Sequence, residues 1–483
     1  MKKKVAIYWA RRDLRLTDNP ALRAAVEYAK KEAIPFLPIY ILEDYMVTGD
    51  ATYQFGLPSR YFLAKALSLF SKKFPHFVVF QGKAARTIIS LADEIDITLF
   101  VNEDVYKDFY TQLKRIRTGG IEVKLFSDAL TISKDTRTGT GNIYSVFTPF
   151  KNAVWSDFCS KKVLPKVSME EVTFFSGSFG ALQKKKIEHT EHAIRKTFAQ
   201  TRTFLAGGVQ YDIDTLLQHK NTYDNWYADE EGAVKQFDIF LKHTISEYKN
   251  KRDFLDLEAT SHMSLGLAWG LVSARMLRKK IEHHFDSNVS KDSFGARMAG
   301  PVQYISELIW REFYTYLFYH YPELMNQEFQ QKFRGAITWV DEKTAHERFK
   351  KWIQGQTGYP IVDAAMMELA ATGYMHNRAR MIVASVLTKN LGVDWRWGQE
   401  YFRAMLIDLY EASNNGGWQW AASVGADPKP IRIFNPYLQA SNYDKNNLYQ
   451  KKYLSEEYLA MPPDVVVDHK LARAAALARY GLQ

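Results

Sequence analysis

The stretch VAIYWARRDLRLTDN, residues 5–19, joins six apolar or aromatic residues to a turn that contains no glycine. At its end, Asp18 or Asn19 can cap a helix, and Pro20 suits the first turn of the helix-period segment NPALRAAVEYAKK. Strand, turn and helix follow one another within thirty residues. The same alternation continues through IPFLPIYIL (34–42), FVVFQG (77–82), ITLFVNE (97–103) and VKLFSD (123–128). Near-continuous apolar strands separated by helices predict a parallel, doubly wound, Rossmann-like α/β domain over residues 1–130. The glycine-free turn removes the main support for a nicotinamide dehydrogenase, because a dinucleotide pyrophosphate approaches the backbone only where glycines stand.

Beyond residue 130 the pattern changes. Residues 131–200 are irregular and basic (SKDTRTGTGN, CSKKVLPKVS, SGSFGALQKKK) and read as an interdomain connection with short structure of its own. From 201 to 483 helix-period segments dominate, among them PVQYISELIWREFYTYLFYHYP, so the second domain is expected to be larger and all-helical. A chain of 483 residues is too long for one core and suits two or three domains.

The composition bounds the function. A net charge of +10 and a pI near 9.2 favour a polyanionic partner. Cys159 is the single cysteine, which excludes an internal disulfide and fits a reducing, cytoplasmic setting. No apolar run reaches the ~20 residues of a membrane span. Among 12 histidines there is no HExxH or paired-ligand spacing, so no metal is expected, and GxSxG is absent, so hydrolysis is not indicated.

Three constellations invite a ligand. In ELIWREF, Glu307, Trp310 and Arg311 share one helical face, although a surface helix with a Glu–Arg pair gives the same pattern. In MHNRARM, Asn377, Arg380 and Met381 share a face while Arg378 points elsewhere. In SNNGGWQWAASVG (413–425), Trp418 and Trp420 project about 200° apart on a helix and are not expected to enter one pocket. Gly416 and Gly417 each cost about 1 kcal/mol relative to alanine in a helix interior, which suits a place where something flat meets the backbone.

WARRDLRLTDNPAL resembles the N-terminal signature of the photolyase and cryptochrome family, and YSVFTPFKNAVW (144–155) resembles its linker motif. RDFLDLEATSHMSLGLAWGLVSARML, ELIWREFY, GQTGYPIVDAAM, MHNRARM, DWRWGQEYF and NNGGWQWAASVGADPKPIRIFNP follow in family order. The resemblance implies a folded flavin adenine dinucleotide (FAD) in the helical domain. Tyr248 and the run Thr260, Ser261, His262, Met263, Ser264 match its phosphate and ribityl contacts. Trp310, Arg311, Asn377, Arg380, Asp408 and Asn414 match positions around the ring system, with Arg380 as the nearby cation and Asn414 facing flavin N5. Tyr304 and Tyr410 fall in the same set but depart from it, Tyr304 and Tyr374 replacing tryptophans and Tyr410 a carboxylate.

By the same resemblance Trp418, Trp395 and Trp339 form an electron relay, although the spacing from Trp339 to Trp352 is longer than the family's. Trp310 and Trp420 flank flipped bases, Glu307 steadies the lesion beside Asn377 and Met381, and Arg252, Arg378 and Arg432 meet phosphates. The implied activity is light-driven splitting of cyclobutane pyrimidine dimers in UV-damaged DNA, most like the class I branch. A blue-light photoreceptor with flavin and relay but no repair is the alternative. Asn377 and Met381 replace two histidines of the (6-4) enzymes, and neither is a general acid, which argues against that activity. A second, antenna chromophore could be a folate, a deazaflavin or a flavin, or be absent, and the family expectation is a monomer.

Overall fold

The computed structural model describes residues 2–48, 56–105, 107–180, 185–198, 203–212, 225–286, 296–426 and 431–482. Five parallel strands, β1 (Lys3–Ala10), β2 (Phe36–Leu42), β3 (Val78–Gln81), β4 (Ile95–Asn102) and β5 (Glu122–Phe126), pair in the order β5-β4-β1-β2-β3. A two-residue strand, β6 (Lys186–Ile187), adds antiparallel to the β3 edge. Helices cover both faces, as the uninterrupted burial of β2 requires.

The turn after β1 is organised by side chains in place of glycines. Asn19 caps helix α1 (Pro20–Lys31), accepting from Leu22 N at 3.1 Å, and its amide donates to Tyr8 Oη and the Asp13 carbonyl. Asn102 at the end of β4 donates to Asp13 at 2.6 Å and to Asn19 at 2.9 Å. This network, with Arg11–Asp104 and Arg15–Asp128 ion pairs of 3.1 and 2.7 Å, fills the crevice where strand order reverses. Only about 40 Å³ remains there, which is water-sized.

Residues 131–180 are folded onto both halves of the molecule. Helix α2 (Phe147–Ser160) lies against the helical half, and Phe36 of β2 exchanges backbone hydrogen bonds with Thr173 and Phe175 at 2.8 and 2.9 Å. The helical half includes α3 (Met263–Ala268), α4 (Ala296–His320), α5 (Glu342–Ile353), α6 (Asn377–Ser385), α7 (Trp395–Met405) and α8 (Glu411–Ala421). It also carries a β-hairpin absent from the all-helical expectation, β7 (Thr203–Ala206) and β8 (Val209–Asp212). Gly207 and Gly208 between them have φ of 57° and 77°, the positive values a two-residue hairpin turn needs.

The halves are joined by buried charge. Asp18 accepts from Ser273 and Arg275, and Asp128 binds both Arg15 and Arg275. Gly270, at φ 67°, allows the contact: a Cβ there would stand 1.9 Å from the Arg12 carbonyl oxygen.

Candidate functional site

A cavity of about 500 Å³ opens among the helices, within the range of cofactor sites. One wall is α4, where Tyr304, Glu307, Leu308 and Arg311 recur at helical spacing and Trp310 stands beside them. Residues 260–264 pass along a second side into the start of α3. His262 adopts the left-handed conformation there (φ 56°), unusual outside glycine, and its carbonyl accepts from Tyr227 Oη at 2.7 Å. Asn377, Arg380 and Met381 come from the first turns of α6, and Asp408 and Tyr410 from the segment before α8. Asn414, Gly417, Trp418 and Trp420 of α8 close the hollow, with Tyr248 and Arg252 also on the lining.

Every residue expected at the cofactor therefore lines one cavity, together with Arg252, Glu307, Met381 and Trp420 from the substrate set. Arg378 and Arg432 stand outside the lining. Arg378 pairs with Asp253 at 2.8 Å, and Arg432 lies over the Trp420 ring at 5.2 Å. Trp395 and Trp339 are outside it too. Trp395 is fully buried, its indole NH directed at Glu328 Oε1, 3.4 Å away.

One sequence expectation is corrected. Trp418 and Trp420 do diverge, and Trp418 is buried while Trp420 is half-buried, yet both line the same cavity. Gly417 is the reason. It lies between them on the helix, and a Cβ there would have no atom within 4 Å, so the missing side chain leaves a hollow that both indoles edge. Gly416 has the opposite role: its Cβ would meet the Tyr314 ring at 2.1 Å, where α8 crosses α4. Gly398 of α7 likewise yields to Trp418, whose ring is 2.1 Å from where a Cβ would be. Gly416→Ala is therefore expected to lower unfolding stability by about 1–3 kcal/mol, whereas Gly417→Ala is neutral or stabilising by up to about 1 kcal/mol in denaturant titrations.

The electrostatics favour an anionic or electron-rich ligand. Arg380 donates from Nη2 to both oxygens of Asp408, at 3.0 and 2.8 Å, and from Nε to the Met375 carbonyl. Burial works against the Arg380 charge, but Asp408 and Tyr374 outweigh it and the guanidinium pKa is raised. Arg311 lies 4.5 Å over the Tyr410 ring, and burial pushes the Tyr410 phenol up, so that position is neutral. Glu307 pairs with Arg252 and accepts from Gln303 at 2.7 Å. Arg311 Nε, Asn414 Oδ1 and Trp418 Nε1 are buried with no partner in the protein, two donors and an acceptor at the cavity wall. Buried polar atoms are ordinarily paired, so these three mark where a polar ligand belongs.

His376 secures the α6 wall. It caps α6 by accepting from Arg378 N at 3.1 Å, and burial lowers its pKa to about 4. The unfolded imidazole titrates near 6.5, so the unfolded chain binds the proton first and stability falls as pH drops from about 6.5 toward 4. The slope is at most about 1.4 kcal/mol per pH unit. His376→Asn, which keeps a capping acceptor, is expected to remove that component from the pH dependence of unfolding.

Several residues at the site were not anticipated. Phe402 and Trp352 contact the Trp418 ring with centroids 5.0 and 6.0 Å away, and Trp352 is fully buried. From Trp352 the contacts continue to Phe349 at 5.7 Å and from there to the half-buried Trp397 at 5.4 Å. Tryptophan content hinted at such a path, but ring proximity between α5, α7 and α8 is a tertiary property. Among the described residues no group of histidine, cysteine and carboxylates could hold a metal, and no helix is long and apolar enough to cross a membrane.

Comparison with known proteins gives the same assignment from a separate direction. Residues 6–168 match the DNA photolyase family model, and residues 304–481 match the model of the FAD binding domain of DNA photolyase. The chain is 34% identical to a deoxyribodipyrimidine photo-lyase of Vibrio cholerae, covering 98% of each, and 30% identical to that of Escherichia coli with the same coverage. The crystal structure of a class III photolyase from Agrobacterium tumefaciens superposes with a TM-score of 0.79 at 30% identity, covering 100% of this chain and 98% of that one. A Synechocystis cryptochrome, 23% identical with a TM-score of 0.72, shares the fold over 100% of this chain and 95% of its own. The chain belongs to the photolyase and cryptochrome family.

Proposed function

We propose that the protein is a light-driven lyase that splits cyclobutane pyrimidine dimers in DNA, with FAD held in the cavity of the helical half. The observation that carries this reading is one hollow shared by two residue sets. Asn414, Arg380, Asp408 and Trp418 suit a flavin, and Glu307, Trp310, Met381 and Trp420 suit an extruded pyrimidine pair. The three unpartnered atoms of Arg311, Asn414 and Trp418 fit a ligand that presents both acceptors and a donor. When bound and reduced, FAD would supply an electron to the lesion under light, and the electron would return to it once the strained ring has opened, so the splitting is redox-neutral.

The chain's own residues do the positioning. Arg380, fixed by Asp408, keeps a cation at the cavity wall where negative charge is to be accommodated. A dimer stacked in duplex DNA cannot enter, so it is flipped out of the stack. Trp310 and Trp420 supply aromatic faces for the extruded bases, and Glu307 an acceptor held by Gln303. Arg252, Arg378 and Arg432 meet phosphates, the first two exchanging their present carboxylate partners Glu307 and Asp253. Trp418 passes an electron toward the cavity, drawing on Trp395 and Trp339 or on the ring contacts through Trp352 to Trp397.

The protein acts as a cytoplasmic monomer in this reading. A second chromophore of folate, deazaflavin or flavin type either binds away from the crevice at the ends of β1 and β4 or displaces the Arg11 ion pairs that fill it. The test is to illuminate the purified protein with dimer-containing single-stranded DNA and follow the pyrimidine absorbance band. Light-dependent recovery supports repair; bound flavin with no recovery assigns the chain to the photoreceptors instead.

A further inference from the structure

The linker is bound along the helix that forms one wall of the hollow, without lining the hollow itself. Glu312 of α4, fully buried, accepts from Thr131 N at 2.7 Å and Ile132 N at 3.4 Å. One turn on, Tyr316 Oη donates to the Thr136 carbonyl at 2.7 Å and accepts from Tyr144 N at 3.3 Å. After a further turn, His320 Nε2 lies 2.8 Å from the Lys134 carbonyl. These residues stand at i, i+4 and i+8, so a single face of α4 binds the linker backbone along its length. The linker then starts α2 with Phe147, which is set on Trp310 of α4.

That contact is unlike the other ring pairs. The Phe147 and Trp310 centroids are 3.6 Å apart with planes 9° from parallel, the shortest separation among the described aromatic pairs. At this distance there is little room for lateral offset, so one ring largely covers the other. A face-to-face sandwich is not the arrangement aromatic pairs prefer on their own, which form offset or edge contacts at 4.5–7 Å. The surroundings impose it: Phe147 is held edge-on by Phe313 at 5.9 Å, and Phe313 in turn packs on Phe150 at 5.1 Å. Trp310 lines the cavity and Phe147 does not, so the covered indole face is turned away from the hollow.

We propose that Phe147 is a positioning residue for lesion recognition: together with Tyr314, 5.5 Å from the Trp310 ring, it fixes the indole so that its cavity side can stack on an extruded pyrimidine. This deepens the repair reading and rests on it. A side chain fixed before binding does not lose rotamer freedom on binding, which for a large side chain is worth about 0.5–1.5 kcal/mol, or roughly 2- to 12-fold in affinity. Undamaged duplex DNA extrudes nothing onto Trp310 and gains nothing from the clamp.

The experiment uses the full-length flavin-loaded protein in the dark and measures binding to one oligonucleotide with and without a thymine dimer. Phe147→Ala and Phe147→Leu are expected to weaken dimer binding about 3- to 10-fold with affinity for the undamaged strand unchanged, while Phe147→Tyr restores it. In a Trp310→Ala background, Phe147→Ala is expected to have no further effect on the dimer affinity. Flavin content and melting temperature are followed in each variant. Equal loss for both oligonucleotides, tracking a lower melting temperature, assigns Phe147 to α2 stability and overturns the proposal. So does wild-type dimer affinity in Phe147→Leu, or an undiminished effect in the Trp310→Ala background. Should the unmodified protein show no preference for the dimer, it is the repair reading that fails.

Discussion

Asp408→Ala protein is expected to purify with little or no flavin and to be less stable by about 3 kcal/mol or more. The carboxylate is fully buried and accepts two hydrogen bonds from Arg380 Nη2, so its removal leaves a guanidinium at the cavity wall without its paired carboxylate. Breaking a buried pair from one side costs more than the pair is worth, because the remaining ion keeps its desolvation penalty. Asp408→Asn retains the shape and one acceptor and is expected to fall between the two. Flavin absorbance per chain and a denaturant titration measure both effects. Wild-type flavin content in Asp408→Ala would mean that the Arg380–Asp408 pair only braces the fold.

The second large effect is expected for Trp418→Phe. This indole lines the cavity, is buried, and has an NH with no partner in the protein. Phenylalanine keeps an aromatic ring but is far harder to oxidise, so light-driven reduction of the bound flavin by an external thiol should fall to background while flavin content is retained. The measurement is the bleaching of the blue absorption band under illumination. Trp395→Phe and Trp352→Phe separate the two ways out of Trp418. The route that carries the electron is the one whose variant slows the bleaching, and the ring contact at 6.0 Å makes Trp352 a member to be tested beside Trp395.

How much of this was legible in the sequence differs by level. The parallel sheet was, because each strand is a near-unbroken apolar run and Asn19 and Pro20 mark the helix start as local chemistry. The hairpin at Thr203–Asp212 carried a usable signal, two glycines between short strands, that the surrounding helix periodicity overrode. For the site, it was the resemblance of the motifs to the family that named the expected cofactor and substrate positions between Tyr248 and Trp420, while residue types alone left each motif open to a plainer reading. What they could not give was distance between elements. Helical geometry sends Trp418 and Trp420 apart, and only the empty space at Gly417 returns both to one hollow. Trp352 and Phe147 were missed for the same reason, since each meets a lining tryptophan from an element remote in sequence.

The residues also explain why a basic chain uses so few free charges at the hollow. Arg252, Arg378 and Arg380 each already face a carboxylate, Glu307, Asp253 and Asp408. Paired arginines are held in place for a later partner without leaving an uncompensated charge in the meantime. The neutral Tyr410 beneath Arg311 fits the same pattern, because a second carboxylate there would oppose negative charge arriving in the cavity.

The whole account depends on the hollow between Trp418 and Trp310 being built for a flavin. The most direct measurement is the flavin content of the full-length protein after it is offered excess FAD and freed of unbound dye, with the chromophore then released by denaturation and identified. One FAD per chain, falling sharply in Asp408→Ala, is the predicted result. A colourless protein that takes up no FAD contradicts it.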